Sequence, residues 1–402
     1  MALRALIIDY KVLFNGDQVK TRAMLQWAVC QGLKWCLFTT EPKDPEQVCG
    51  VGNYPLPDAH VHLGDIPGGK KRGSPAWVDV AANRLGVERH ELLYLGASGM
   101  DWRSAGHAGV FYLHAAWCRP LPSGHNAFKA DSAAVVQLIL DQFFLSEPHW
   151  AFKGSGDNWE LRCLLPANAS LPCTEPGNNF TLQDVLTYEK TVKIGSTDAR
   201  SVLMFSVLAN AYLEGLMTSG ALMCVYPSST PGKVSEQLSA YLQPASHLFR
   251  NYYRDDLLIR ALKAPDTSLE RVRARREGRT AQVSIATQAN TVHIGADYNG
   301  RKKLAGKTVI VADDFTTRGM SLDWARTLFT RAGAQRVILL TVGKYGGASH
   351  TIYTPRVSVT PYESNSLKAE EFTENTVPLE HSSSAEPQMR SRINELISYS
   401  NS

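Results

Sequence analysis

The stretch Val309–Ser321, VIVADDFTTRGMS, narrows the possible folds of this chain more than any other. Four apolar or small residues lead into two adjacent acids, and a short polar loop with one glycine follows. A run of this kind reads as a strand buried on both faces, at home in a parallel sheet covered by helices. In open sheets of that type, ligands collect at the carboxyl ends of the strands. Asp313 and Asp314 fall there. Behind them Thr316, Thr317, Arg318, Gly319, Met320 and Ser321 run into a helical segment and offer hydroxyls, backbone N–H groups and the positive end of a helix dipole to an anion. Acids beside an anion cradle suit a ligand with hydroxyls or a metal at one end and a phosphate at the other, the shape of a ribose 5-phosphate.

The rest of the chain repeats the strand and helix alternation twice. Leu3 to Ile8 reads as a strand ending at Asp9, RAMLQWAVCQGLKW as a helix and CLFTT as a second strand. SPAWVDVAANRLGV (helix), ELLYLGAS (strand), WRSAGHAG (helix) and VFYLHAA (strand) continue the pattern. The fold class expected is therefore α/β, with two Rossmann-like parallel-sheet domains and a partly helical connector. Residues 1–120 form the first domain, and 121–180 a connector with one amphipathic helix, Asp131 to Leu145. Residues 181–346 form the second domain. The Ser, Thr, Glu and Pro-rich residues 347–402 read as a mobile tail with a short final helix.

At 402 residues and 44% apolar content the chain is long enough for these cores. A formal charge of +4 gives no general support to nucleic-acid binding. Seven cysteines without a C-x-x-C pair argue against a zinc ribbon or a disulfide framework, and no apolar run approaches a membrane span. A reducing cytoplasm is the expected location.

VIVADDFTTRGMS resembles the thirteen-residue signature of type I phosphoribosyltransferases. The resemblance implies that Asp313 and Asp314 hold the ribose hydroxyls and Thr317 to Ser321 the 5-phosphate, with Arg318 adding a cation. It extends over roughly residues 180 to 345, where the element order is similar to the ComF-type branch. There CVYPSS stands for the first strand and the pyrophosphate loop, with Ser228 and Ser229. LLIRALKAPDTSLERVRARREGRTAQ stands for an L-x-R stretch leading to Thr280–Gln282, and QANTV for a segment around Asn290. An R-G-F-N helix start and zinc-binding cysteines are absent. What the resemblance implies is a Mg²⁺-dependent transferase of phosphoribosyl pyrophosphate to a nitrogenous acceptor, working by positioning and charge stabilisation rather than by a nucleophilic side chain. A homodimer is compatible with it.

Arg271, Arg273, Arg275, Arg276 and Arg279 crowd one segment. In type I enzymes the equivalent segment is a mobile loop over the pyrophosphate, which would make Arg279 catalytic. A solvated basic helix and contact with a nucleic-acid backbone are the other readings.

The first 120 residues resemble the haloacid dehalogenase superfamily. Asp9 matches its phosphate-accepting nucleophile, Thr39 the hydroxyl that orients a phosphoryl group, and Arg72 or Lys71 the balancing cation. LLYLGASGMDWRSAGHAGV is similar to its last motif and contains Asp101. About thirty residues separate Asp9 from Thr39, which leaves no room for a large cap. Lys11 and Ala97 stand where that family has acids, so Mg²⁺ affinity should fall, and Lys11 is expected to pair with Asp9 in the cation's place. A degenerate, structural or ligand-sensing domain is the favoured reading, a phosphatase acting on the transferase product the alternative.

His60 and His62 have a spacing suited to a metal on a strand, but with no third ligand nearby they read as loop or strand histidines. Trp150 and Trp159 read as packing the domains together. The rival to the transferase is a non-catalytic protein that keeps phosphate-shaped pockets for sensing, or for binding partners or nucleic acid.

Overall fold

The computed structural model describes residues 2–125, 127–264, 277–278, 284–300 and 303–401. The chain divides into two units: residues 1–148, 208–220 and 243–252 form the first, and 149–207, 221–242 and 253–402 the second. Each unit is therefore built from interrupted stretches of chain.

The first unit is organised on β1 (Ala5–Asp9), β2 (Lys34–Phe38), β3 (Ala59–Val61), β4 (Leu92–Gly96), β5 (Phe111–Ala115) and β6 (Phe128–Ala130). Their order is β3-β2-β1-β4-β5-β6, and every pairing is parallel. All five residues of β1, β4 and β5 are buried, which explains their near-continuous apolar runs, broken by Asp9 and His114. β1 lies between β2 and β4, so the strand order turns at β1 and a crevice opens beyond its carboxyl end. Asp9 is the last residue of that strand. Residues 208–220 and 243–252 supply Tyr212 and Phe249, whose rings lie 5.6 and 5.8 Å from Phe111.

The second unit begins with β7 (Phe152–Ser155) and β8 (Trp159–Pro166). Two small ribbons follow, β9 (Ser170–Pro172) with β10 (Asn179–Thr181) and β11 (Lys193–Ile194) with β12 (Thr197–Asp198). Then come β13 (Leu222–Val225), β14 (Tyr252–Tyr253), β15 (Leu258–Arg260), β16 (Val292–Ile294), β17 (Thr308–Thr316), β18 (Arg336–Lys344), β19 (Ser349–Pro355), β20 (Phe372–Pro378) and β21 (Glu380–His381). The main sheet has the order β14-β13-β17-β18-β8-β7-β21, with β13, β17, β18 and β8 parallel and β7 and β21 antiparallel at one side. Its core includes Val309, Val311, Leu322, Trp324, Leu328, Val337 and Leu339.

Two boundaries differ from the sequence expectation. Residues 121–180 are not a separate connector: β6 completes the first sheet, while β7 and β8 belong to the second, where β8 pairs with β18 from Trp159↔Val337 to Pro166↔Lys344. Alternating burial along WELRCLLP identifies this strand, which the surrounding Pro and Gly obscured. The helix expected at 131–145 is present as Ala133–Ile139, continued by a wider π turn over Leu140–Phe144. Residues 347–402 are not a loose tail either. β19 and β20 form a hairpin in register from Ser349↔Pro378 to Pro355↔Phe372, and a 17-residue helix spans Ala385–Asn401. The Thr and Glu that read as disorder form the exposed side of β20, whereas Tyr353, Phe372 and Met389 are buried. Trp150 and Trp159 are buried, and the Trp159 ring lies 5.3 Å from that of His350. All seven cysteines are free thiols. Among the described residues no helix is long and apolar enough to cross a membrane.

Candidate functional site

In the second unit the site follows from a difference in strand length. β13 pairs with β17 only as far as Val225↔Ala312, whereas β18 accompanies β17 to Thr316↔Lys344. On the β13 side the next residues, Asp313 and Asp314, therefore face a cleft of about 300 Å³. Its wall includes Ser228 and Ser229 after β13, Thr187, Tyr345, and the loop residues Thr316, Thr317, Gly319, Met320 and Ser321.

Each acid is fixed by its successor's backbone: Asp314 N–H donates to Asp313 Oδ1 at 3.0 Å and Phe315 N–H to Asp314 Oδ1 at 2.7 Å. Burial, and then the neighbouring charge of Asp314, pushes the Asp313 carboxyl well above the usual carboxylate range; Arg260 pulls it down. The loop beside the acids turns through Gly319, at φ 92°, into the helix Met320–Arg331. A Cβ at Gly319 would lie 2.2 Å from His350 Cε1, so glycine is required both by backbone conformation and by space. Gly319 stands at the helix cap, where it offers no side-chain acceptor to the first-turn N–H groups.

Two buried cations brace the floor. Arg260 donates through Nε to the Ser228 carbonyl, through Nη2 to the Pro227 carbonyl (3.3 Å) and Gln288 Oε1 (3.0 Å), and through Nη1 to Thr291 Oγ1 (2.7 Å). Lys344 Nζ donates to the carbonyls of Thr317 (2.7 Å) and Tyr345 (3.2 Å). Burial lowers the proton affinity of both. Sequence reasoning missed their role, although a lone cation inside LLIRAL and another closing RVILLTVGK were visible signals.

The structure thus brings Asp313, Asp314, Thr316, Thr317, Gly319, Met320, Ser321, Ser228 and Ser229 to one cleft. Arg318 is not among the lining residues: it is exposed, and its carbonyl accepts from Thr351 N–H at 3.0 Å. Asn290 pins another segment, exchanging bonds of 2.8 and 2.7 Å with the backbone of Leu367. Arg279, its neighbouring arginines at 271–276 and the segment Thr280–Gln282 lie outside the described residues.

In the first unit Asp9, Arg72 and Asp101 meet. Arg72 Nη1 donates to Asp9 Oδ2 and, at 2.6 Å, to Asp101 Oδ1. Asp101 also accepts from the Tyr94 hydroxyl (2.8 Å), the Ser98 hydroxyl (2.7 Å) and Ala97 N–H (3.2 Å). Gly96 makes room for it, since a Cβ there would come within 2.6 Å of Asp101 Cβ. Burial and the charge of Asp101 raise the Asp9 carboxyl, with Arg72 opposing. Lys11 is not the partner of Asp9 that the sequence suggested: its backbone N–H caps Asp9 Oδ1 at 2.9 Å, but the residue is exposed and Arg72 takes the bond to Asp9 Oδ2; Lys71 is exposed too. Thr39 Oγ1 is engaged by the Glu41 carbonyl (2.6 Å) and His60 Nε2 (2.7 Å). His62 caps the next turn through Gly64 N–H at 3.0 Å. A pocket of about 110 Å³ remains beside Asp9, Lys11, Thr39 and Lys43. Among the described residues no three His, Cys, Asp or Glu side chains group to hold a metal ion.

No protein-family model matches the chain, and a search of curated proteins found no match. Solved structures do align with parts of it. An uncharacterized protein from Corynebacterium glutamicum is 22% identical, covering 28% of this chain and 84% of its own, with a TM-score of 0.24. CbbY from Rhodobacter sphaeroides, in complex with phosphate, is 20% identical over 30% of this chain and 54% of its own, TM-score 0.26. A HAD-superfamily hydrolase of subfamily IA from Geobacter sulfurreducens is 11% identical over 34% and 96%, TM-score 0.26. Similarity at this level carries no conclusion about activity; the sites rest on their own geometry.

Proposed function

We propose that the second unit is a phosphoribosyltransferase whose cleft binds phosphoribosyl pyrophosphate, or a related phosphorylated ribose, and passes the phosphoribosyl group to a nitrogenous acceptor. The observation that carries this reading is the meeting, in one cleft, of an adjacent acid pair and a helix start left uncapped by glycine. Asp313 and Asp314 would accept from the ribose hydroxyls. The N–H groups and hydroxyls of Thr317 to Ser321 would hold the 5-phosphate, and Ser228 and Ser229 would face the pyrophosphate.

Mg²⁺ would suit this cleft, because two adjacent acids, Asp313 and Asp314, line it. Asp313 and Asp314 would hold the ion indirectly, through ribose and pyrophosphate, and when bound it supplies charge neutralisation for the leaving pyrophosphate. Arg260 keeps the Pro227–Ser228 turn in place through two carbonyls and Lys344 keeps the loop at Thr317, so both act as positioning residues.

Calorimetry with phosphoribosyl pyrophosphate and Mg²⁺ tests the reading. Binding by the wild-type protein, lost in Asp313→Asn/Asp314→Asn, supports it, and absence of wild-type binding overturns it. Binding without pyrophosphate release across a panel of bases would replace transfer with ligand sensing at the same cleft.

A further inference from the structure

The resemblance of the first 120 residues to haloacid dehalogenases implies a Mg²⁺ ion beside Asp9 and Asp101, and the residues present do not fit one. All four carboxylate oxygens already accept from this chain. Asp9 Oδ1 takes Lys11 N–H and Asp9 Oδ2 takes Arg72 Nη1; Asp101 Oδ1 takes Arg72 Nη1 and the Tyr94 hydroxyl; Asp101 Oδ2 takes Ser98 Oγ and Ala97 N–H. A hard divalent cation needs several oxygens around an open point at roughly 2.0–2.6 Å. Here the point where Asp9 Oδ2 and Asp101 Oδ1 converge is filled by a nitrogen. Ala97 brings no further carboxylate. The guanidinium is also walled in, lying 5.0 Å from the Trp77 ring and 5.3 Å from the Phe38 ring with 12% of the side chain exposed. A planar cation that keeps its charge at every accessible pH suits that setting better than an ammonium would.

We infer that Arg72 is the permanent cation of the first unit, held between Asp9 and Asp101, and that this site binds no divalent metal. The converse is sharper. Without the guanidinium, two carboxylate oxygens and the Tyr94 hydroxyl face one desolvated gap, which a hard divalent ion would fill. The inference concerns a different unit from the proposed transferase cleft and stands or falls apart from it.

The test uses the full chain carrying Asp313→Asn and Asp314→Asn, so that the second cleft contributes no carboxylates. Mn²⁺ is titrated in, its free form is followed by electron paramagnetic resonance, and thermal unfolding is recorded with and without the ion. With Arg72 in place, no stoichiometric Mn²⁺ binding and no shift in Tm are expected. Arg72→Ala should take up about one equivalent and gain Tm with Mn²⁺, and adding Asp101→Asn should abolish both. Arg72→Met, which keeps a chain of similar reach over Trp77 and Phe38, repeats the measurement if the alanine variant does not fold. Stoichiometric Mn²⁺ binding with Arg72 present that Asp9→Asn removes would overturn the inference. So would a folded Arg72 variant indifferent to Mn²⁺. The first arm needs no Arg72 variant at all.

Discussion

Asp9 closes the buried parallel strand β1, Asp313 stands in β17 just past the end of its pairing with β13, and each has a second carboxylate for company. In the first unit one guanidinium nitrogen bonds both acids directly. In the second, the buried cation Arg260 at the same cleft spends its donors on the carbonyls of Pro227 and Ser228 and on Gln288 and Thr291. The first pair therefore shares one bonded guanidinium, whereas the second lines a cleft beside a guanidinium bonded elsewhere. Burial and a neighbouring acid raise both carboxyls; the two sites differ in where the adjacent arginine bonds.

The largest effect expected from breaking this contrast is at Arg72. Arg72→Ala leaves two buried carboxylates unpaired and should cost about 3–5 kcal/mol in urea or thermal unfolding without metal. A loss below about 1 kcal/mol, the range of an exposed pair, would remove the contrast. Next is the ligand side. Asp313→Asn/Asp314→Asn should weaken phosphoribosyl pyrophosphate binding by about 100-fold, roughly 3 kcal/mol by calorimetry, while Asp9→Asn leaves it unchanged. Equal losses in both variants would mean that the two acid pairs are not separate in function.

Gly319→Ala puts a Cβ against His350 at a positive φ, so binding should weaken roughly tenfold, about 1.4 kcal/mol, with the helix Met320–Arg331 intact by circular dichroism. The smallest effect concerns stability against pH. Because the Asp313 carboxyl is raised in the folded protein, the stability that its protonated form gives is fully present below the ordinary carboxylate pKa. It is lost as pH rises through the folded value. Asp313→Asn mimics the protonated form, so at neutral pH without ligand it should unfold later than wild type by on the order of 1 kcal/mol, the gap closing below about pH 4. A destabilised variant at neutral pH would overturn this expectation.

The parts legible in the sequence were those written contiguously. Val309–Ser321 encodes strand, acids, glycine turn and helix start in thirteen residues, and ALIID at the start of the chain carries its strand and acid in five. What escaped depends on residues far apart. Arg260 and Lys344 reach the loops through bonds across 28 to 33 and 27 positions, and Arg72 reaches Asp9 across 63. No local pattern shows which of Lys11, Lys71 and Arg72 arrives. β8 was hidden for the same reason, since its partner β18 lies some 178 residues on at Trp159↔Val337. The β19–β20 hairpin was hidden by composition, because its exposed side resembles disordered chain until pairing buries Tyr353 and Phe372.

The interrupted make-up of the two units governs how they can be studied. A protein cut after residue 148 would retain all six strands of the first sheet yet lack Tyr212 and Phe249, whose rings pack on Phe111, and the Tyr212 hydroxyl that donates to the Arg89 carbonyl at 2.6 Å. A protein starting at residue 149 would carry those same aromatic side chains with no core to enter. Severing the halves would therefore trade a question about chemistry for one about solubility, and point substitutions in the uncut chain are the way to assign either site.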